Sequence, residues 1–111
     1  MRFINRGVFA FLLLFLGATS AFAQGETASV LGTVRDSSAA VVAGATVTLT
    51  NTETGISATA TTDARGNYEF FTVRIGTYLV TAEKTGFSMS MADNVQVVIG
   101  SRQRVDLTMA V

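Results

Sequence analysis

Chemistry needs side chains that move protons, hold metals or attack bonds, and this sequence offers few of them. It contains no His and no Cys. Ser and Thr are plentiful, but without an imidazole to act as base none reads as an activated nucleophile. Glu69 and Glu83 fall on strands expected to be neighbours, and two carboxylates flanking a glycosidic bond are the equipment of a glycoside hydrolase. Charged residues that keep outward faces of strands in water account for both equally well. In "DARGN", Asp63 and Asn67 bring oxygens to a turn, yet a calcium loop wants six to eight oxygen ligands. Asp63 therefore reads as a turn former. The remaining candidates are Phe71, the aromatic residue that falls off the core parity, and Arg74 close by. An exposed ring can stack a sugar while a guanidinium supplies polar contacts, and this is the ligand contact the sequence suggests. The chain reads as a non-enzyme without a cofactor or metal.

The elements that carry these residues are strands. In "ATVTLTN", Ala45, Val47 and Leu49 alternate with Thr46, Thr48 and Thr50. In "ISATATT", Ile56, Ala58 and Ala60 oppose Ser57, Thr59 and Thr61, and near the end Val105, Leu107 and Met109 oppose Arg104, Asp106 and Thr108. Period-two alternation marks half-buried strands, and Val and Thr suit a pleated surface. Tyr68 and Phe70 share one face of a fourth strand, and Tyr78, Val80 and Ala82 one face of a fifth. With Phe87, these aromatic side chains are the expected core. Turn signals separate the strands: "NTETG" as a hairpin, "TDARGN" with Asp63 and Gly66, then Gly76 and Gly86. The pattern predicts seven short strands in an antiparallel β-sandwich. The uncharged "ISATATT" reads as one sheet edge. "NVQVVIG", with Val95, Val97 and Ile99 expected inside, reads as another.

The start of the chain is a different kind of sequence. Arg2 and Arg6 precede the apolar run Val8 to Leu16, and Ala21-Phe22-Ala23 follows. A basic start, a short apolar core and small residues at the last and third-last positions form a secretory signal peptide. The expected layout is a leader over 1–23 cleaved between Ala23 and Gln24, a linker over 24–28 and a single domain over 29–111. Nine apolar residues fall short of the roughly 20 that span a bilayer, so no transmembrane segment is expected in the mature chain. That mature chain holds six basic and eight acidic side chains, interspersed, which excludes the basic footprint of nucleic-acid binding.

The motifs now form an ordered set. Val30, Gly32, Val34 and Asp36 make V-x-G-x-V-x-D, and Gly44, Ala45, Val47, Leu49 and Asn51 make G-A-x-V-x-L-x-N. Asp63, Gly66, Tyr68 and Phe70 make D-x-x-G-x-Y-x-F, followed by Gly76, Tyr78 and Val80 and then Gly86-Phe87. This order resembles the carboxypeptidase regulatory-like domain, a transthyretin-like (prealbumin-like) sandwich. More narrowly, it resembles the copy that follows the signal peptide of TonB-dependent, Oar-like outer-membrane receptors. The resemblance departs at Ala43 and Ile75, where the family usually carries Pro, so both turns lose a fixed φ.

The resemblance implies an accessory module and not the zinc-holding peptidase domain, whose His ligands this chain lacks. It implies export to the periplasm or outer membrane of a Gram-negative bacterium, or secretion. The role would be in nutrient uptake, with a protein or cell-surface polysaccharide as partner. Such receptors continue into a plug and a barrel, so the expectation is either a truncated receptor or a free-standing exported module. The starch-binding-like shape of such sandwiches implies carbohydrate binding as the alternative.

Overall fold

A computed structural model describes residues 27–111; the leader and its cleavage point lie outside the described residues. Eight strands follow in chain order: β1 Thr27–Asp36, β2 Thr46–Asn51, β3 Ser57–Thr61, β4 Asn67–Arg74, β5 Gly76–Glu83, β6 Ser90–Val97, β7 Arg102–Arg104 and β8 Leu107–Met109. They form two sheets. One runs β4-β1-β7, with β8 also on β1; the other runs β3-β2-β5-β6. Alternation puts the apolar parity of each strand between the sheets: Val30 and Val34 from β1, Val47 from β2, Val80 from β5 and Met109 from β8 are fully buried. Burying each such side chain contributes about 1.5–3 kcal/mol, and together they join the sheets into one sandwich.

The expected seven strands become eight because the last one is interrupted. β7 and β8 keep one register on β1, with Ser29 opposite Arg102 and Val34 opposite Leu107. Between them the ladder is replaced by other bonds. Val105 N–H donates to the Leu31 carbonyl at 2.8 Å, the Tyr68 hydroxyl donates to the Val105 carbonyl, and Thr33 N–H donates to Asp106 Oδ1 at 2.8 Å. The sandwich is also not wholly antiparallel, since β1 runs parallel to β7 and β8. First and last strands meet side by side, which no local pattern specifies.

The turns follow from short side chains that bond their own backbone. Asn51 Oδ1 accepts from Glu53 N–H at 2.9 Å and Thr54 N–H at 3.1 Å, and Gly55 at φ 76° completes the β2–β3 hairpin. Asp63 Oδ1 accepts from Arg65 N–H at 2.9 Å and Asn67 N–H at 3.0 Å, which carries the chain from one sheet to the other. Thr62, buried, accepts from Ala45 N–H at 2.9 Å and donates to the Val42 carbonyl at 2.7 Å. It ties the loop before β2 to the end of β3.

Three burial expectations are corrected, the first being Ala58, which is exposed although it lies in β3, at a sheet edge. Ile56 is 72% exposed and lies before the start of β3; Ile99 is 59% exposed and lies beyond the end of β6. Each isoleucine continues an apolar parity past the point where its strand leaves the sheet, so alternation no longer implies burial. Phe87 is half-buried against the edge of the core, outside any strand.

Candidate functional site

The carboxylates come apart in three dimensions. β4, with Glu69, belongs to one sheet and β5, with Glu83, to the other, so the strands expected to be neighbours are not. Glu69 pairs with Arg102 at 3.4 Å, whereas Glu83 lines a separate hollow beside Lys84. Nothing in that arrangement brackets a bond. Asp63 spends one oxygen on the two turn amides, and Asn67 Oδ1 accepts from the Thr33 hydroxyl at 2.7 Å. Among the described residues no group of three His, Cys, Asp or Glu stands together to hold a metal ion.

Phe71 and Arg74, in contrast, meet at one place. They line a groove of about 490 Å³ at the open side of the sandwich, where β3 and β4 are the facing edges. Leu49, Phe70 and Tyr78 form its apolar lining, and Ile56 and Ser57 stand on the β3 side. Phe71 is 74% exposed. It also lines a second hollow, of about 570 Å³, with Thr61, Asp63, Glu69 and Arg104. The ring thus sits between an apolar stretch of the rim near Ser57 and a charged stretch near Thr61.

A β-bulge aims these side chains. The pairing of β1 with β4 shifts between Ala28 and Val30, so that Val30 faces Phe70 but Ala28 faces Val73. Thr72, at φ 56°, is in the left-handed region, which a β-branched residue rarely occupies. The extra residue lets both Phe70 and Val73 point into the core and turns Phe71 and Arg74 outward. The Tyr78 hydroxyl, donating to the Arg74 carbonyl at 2.8 Å, holds the end of the bulged strand. The bulge left a trace in the sequence: core residues Phe70 and Val73 are three apart, an odd spacing that a regular strand cannot bury on one face.

The four sheet edges differ in how they are guarded. β4 carries its bulge and the charges of Glu69 and Arg74. β6 carries Asp93 and a second irregularity, between Ala92 and Val95, with Asn94 at φ 55°. β7 and β8 are three residues each, with Arg102 and Arg104 in β7 and Asp106 between the two. Bulges, charges and short strands all discourage pairing with another chain. β3 has none of them. Its sequence Ser-Ala-Thr-Ala-Thr is uncharged, its five residues pair with β2 without irregularity, and only Ala60 is partly buried.

The glycines and tyrosines named from the sequence lie elsewhere. A Cβ on Gly32 would stand 1.9 Å from the Val105 carbonyl oxygen and 2.9 Å from the Tyr68 hydroxyl, so β1 needs a residue without a side chain there. Tyr68 is buried, and its proton is held well above the ordinary phenol range, by burial first and then by the charge of Asp106. Two residues further along the same pair of strands, Gly66 has φ 76° and faces the Val34 carbonyl. Gly44 and Gly86 also have positive φ, and Gly76 opens β5 beside Asn51. Asp36 ends β1, where the Ser38 hydroxyl, donating at 2.6 Å, holds its carboxyl below the usual range.

Solved structures share this architecture at low identity. A candidate carbohydrate binding protein from Pseudomonas aeruginosa is 18% identical with a TM-score of 0.59; the alignment covers 77% of this chain and 90% of that one. A second candidate carbohydrate binding protein, from Bacteroides uniformis, is 21% identical with a TM-score of 0.58, covering 77% of this chain and 42% of that one. A chlorocatechol 1,2-dioxygenase from Pseudomonas putida is 15% identical with a TM-score of 0.59, covering 78% and 61%. The chain thus spans less than two thirds of the last two, and at these identities the likeness is one of fold. No curated protein sequence matches the chain. The family model of the carboxypeptidase regulatory-like domain matches residues 29–110, nearly the whole sandwich from β1 to β8, and the chain belongs to that family.

Proposed function

We propose that the chain is an exported, non-catalytic accessory module that binds a partner protein along the edge of β3 and the apolar rim beside it. The observation that carries this reading is the coincidence of two features on one side of the sandwich. The unguarded edge is there, and so are Ile56 and Phe71, both more than 70% exposed. An added strand gains main-chain hydrogen bonds from such an edge, and neighbouring side chains supply selectivity. Separation of Glu69 from Glu83 and the lack of any His or Cys support a non-catalytic role. The leader sequence and motif order support a setting in the periplasm or outer membrane, as the N-terminal module of a TonB-dependent receptor for nutrient uptake.

Photo-crosslinking in the native host tests this. A photoreactive phenylalanine analogue replaces Phe71 in one strain and exposed Met91, on β6 at the opposite edge of its sheet from β3, in another. The expected result is an adduct from position 71 in the periplasmic or outer-membrane fraction and none from position 91. Equal yields at both positions, or none at 71, would overturn the reading. A second reading, polysaccharide binding, is favoured by the pairing of exposed Phe71 with Arg74 in one groove. Electrophoresis through gels containing soluble polysaccharide tests it: retardation lost on Phe71→Ala with an unchanged thermal midpoint is required, and no retardation on any polymer rejects it.

A further inference from the structure

The hydrogen-bond pattern of β3 states what its edge requires. Asn51 N–H donates to the Ile56 carbonyl at 2.9 Å and Thr62 N–H to the Ala45 carbonyl at 2.9 Å. Main-chain groups of alternate residues in an antiparallel pair point to one neighbour, so those of Ala58 and Ala60 also face β2. The N–H and C=O groups of Ser57, Thr59 and Thr61 therefore point away from the sheet. A partner strand must offer the same spacing of alternate groups, bring no charge into an uncharged row, and keep its side chains small.

We infer that the partner is a second copy of this chain, paired antiparallel through β3 about Thr59. The inference rests on the reading of β3 as a docking edge and names its occupant. Centred on Thr59, the arrangement sets Thr59 opposite its own copy and Ser57 opposite the second copy's Thr61. Every outward-pointing residue then meets another outward-pointing residue, and the free main-chain groups of the strand are all satisfied. A shift by one residue would set them against groups already bonded to β2. Ala58 meets the copy of Ala60, and no like charges are opposed.

Two further features agree with this occupant. Thr59 stands in register with Thr48, and Thr48 with Thr81. The two-fold continues this row of threonines unbroken from one sheet into the other, and cross-strand Thr–Thr pairs are favourable neighbours. The charges along the rim are also complementary under the same rotation. Arg74 lies at the Ser57 end, and Asp63 and Glu69 outnumber Arg104 at the Thr61 end, so the antiparallel arrangement turns a net positive end toward a net negative one. Ile56 and Phe71 flank the joint, which covers apolar surface otherwise left in water. A joint between five-residue edges is small against the roughly 1,200–2,000 Å² of a stable interface, so the dimer is reversible and forms by mass action.

Sedimentation velocity of the exported chain, from about 10 μM to about 1 mM, reads the association directly. The wild type is expected to pass from monomer to dimer over that range. Thr59→Lys sets like charges across the joint and is expected to weaken association at least about tenfold, with little change in thermal midpoint because Thr59 is exposed. The sequence has no Cys, so Thr59→Cys gives a single thiol. A hydrogen-bonded antiparallel pair holds its Cα atoms about 5.5 Å apart, within the roughly 4.4–6.8 Å a disulfide accepts. Mild oxidation is expected to link Thr59→Cys into dimers and to leave Thr46→Cys, exposed on β2, unlinked.

A chain that stays monomeric throughout, a Thr59→Lys variant that dimerises like the wild type, or equal linking at positions 46 and 59 would each overturn the inference. The position-71 adduct separates this outcome from the broader reading. An adduct of twice the chain mass supports the second copy. An adduct of another mass with a monomeric chain overturns the inference and leaves the docking edge standing, and a monomer without any adduct rejects both.

Discussion

Gly32→Ala probes the interrupted strand most directly. The new Cβ would stand 1.9 Å from the Val105 oxygen and 2.7 Å from its carbonyl carbon. Both are backbone atoms, so no rotamer change relieves the clash, and β7 and β8 must move off β1 by about 1 Å to restore contact distance. That movement strains the bonds that replace the ladder there: Val105 N–H to Leu31, Tyr68 hydroxyl to Val105, and Thr33 N–H to Asp106. A buried group left unpaired costs about 1–3 kcal/mol, so losing two of the three costs about 2–6 kcal/mol. A domain of this size has roughly 4–13 kcal/mol in total. Since about 1 kcal/mol moves the midpoint by about 4–8 °C, the thermal midpoint should fall by at least about 8 °C. Circular dichroism during heating and urea titration reads both quantities. Tyr68→Phe supplies the second arm of a cycle: both substitutions disrupt the same carbonyl, so their costs should fall short of additivity by about 0.5 kcal/mol or more. A midpoint within about 3 °C of wild type, or strict additivity with Tyr68→Phe, would refute the account of Gly32 as a close-approach site.

Phe70→Ala should cost about 3–5 kcal/mol, because Phe70 is buried and packs edge-on to Tyr68 at 5.9 Å; urea unfolding checks it. Thr72→Gly should stabilise the domain by about 1 kcal/mol, since the left-handed backbone at Thr72 strains a β-branched residue and not a glycine. A loss of stability by the same assay would show that the Thr72 side chain is needed. The raised pKa of Tyr68 means that the folded state holds this proton more tightly than the unfolded chain. Its contribution is therefore complete below about pH 10, the ordinary phenol value, and is lost as pH rises through the folded value. Urea midpoints measured across alkaline pH should show this decline, and Tyr68→Phe should diminish it. In a Tyr78→Phe background, phenolate absorbance should appear only with unfolding.

Much of the sandwich is decided locally. Alternation in "ATVTLTN", "NYEF" and "GTYLV" settles which side chains face inward, because neighbours on a strand necessarily point to opposite faces. Asn51 and Asp63 make their turns with bonds to amides two to four residues away, so these too are legible in sequence. Local pattern did not reveal that β1 lies parallel to β7 and β8, that Gly32 must admit the Val105 carbonyl, or that Glu69 and Glu83 belong to opposite sheets. Each depends on residues tens of positions apart meeting only after the sheets have closed. The exposure of Ile56, Ala58 and Ile99 has the same origin, since alternation implies burial only where a strand stays in its sheet and is covered by the other one. For the rim, the sequence supplied its members, Phe71, Arg74 and the uncharged β3. Only the tertiary structure made them one surface, because a bulge at Thr72 and the stacking of β3 over β4 set where those side chains point.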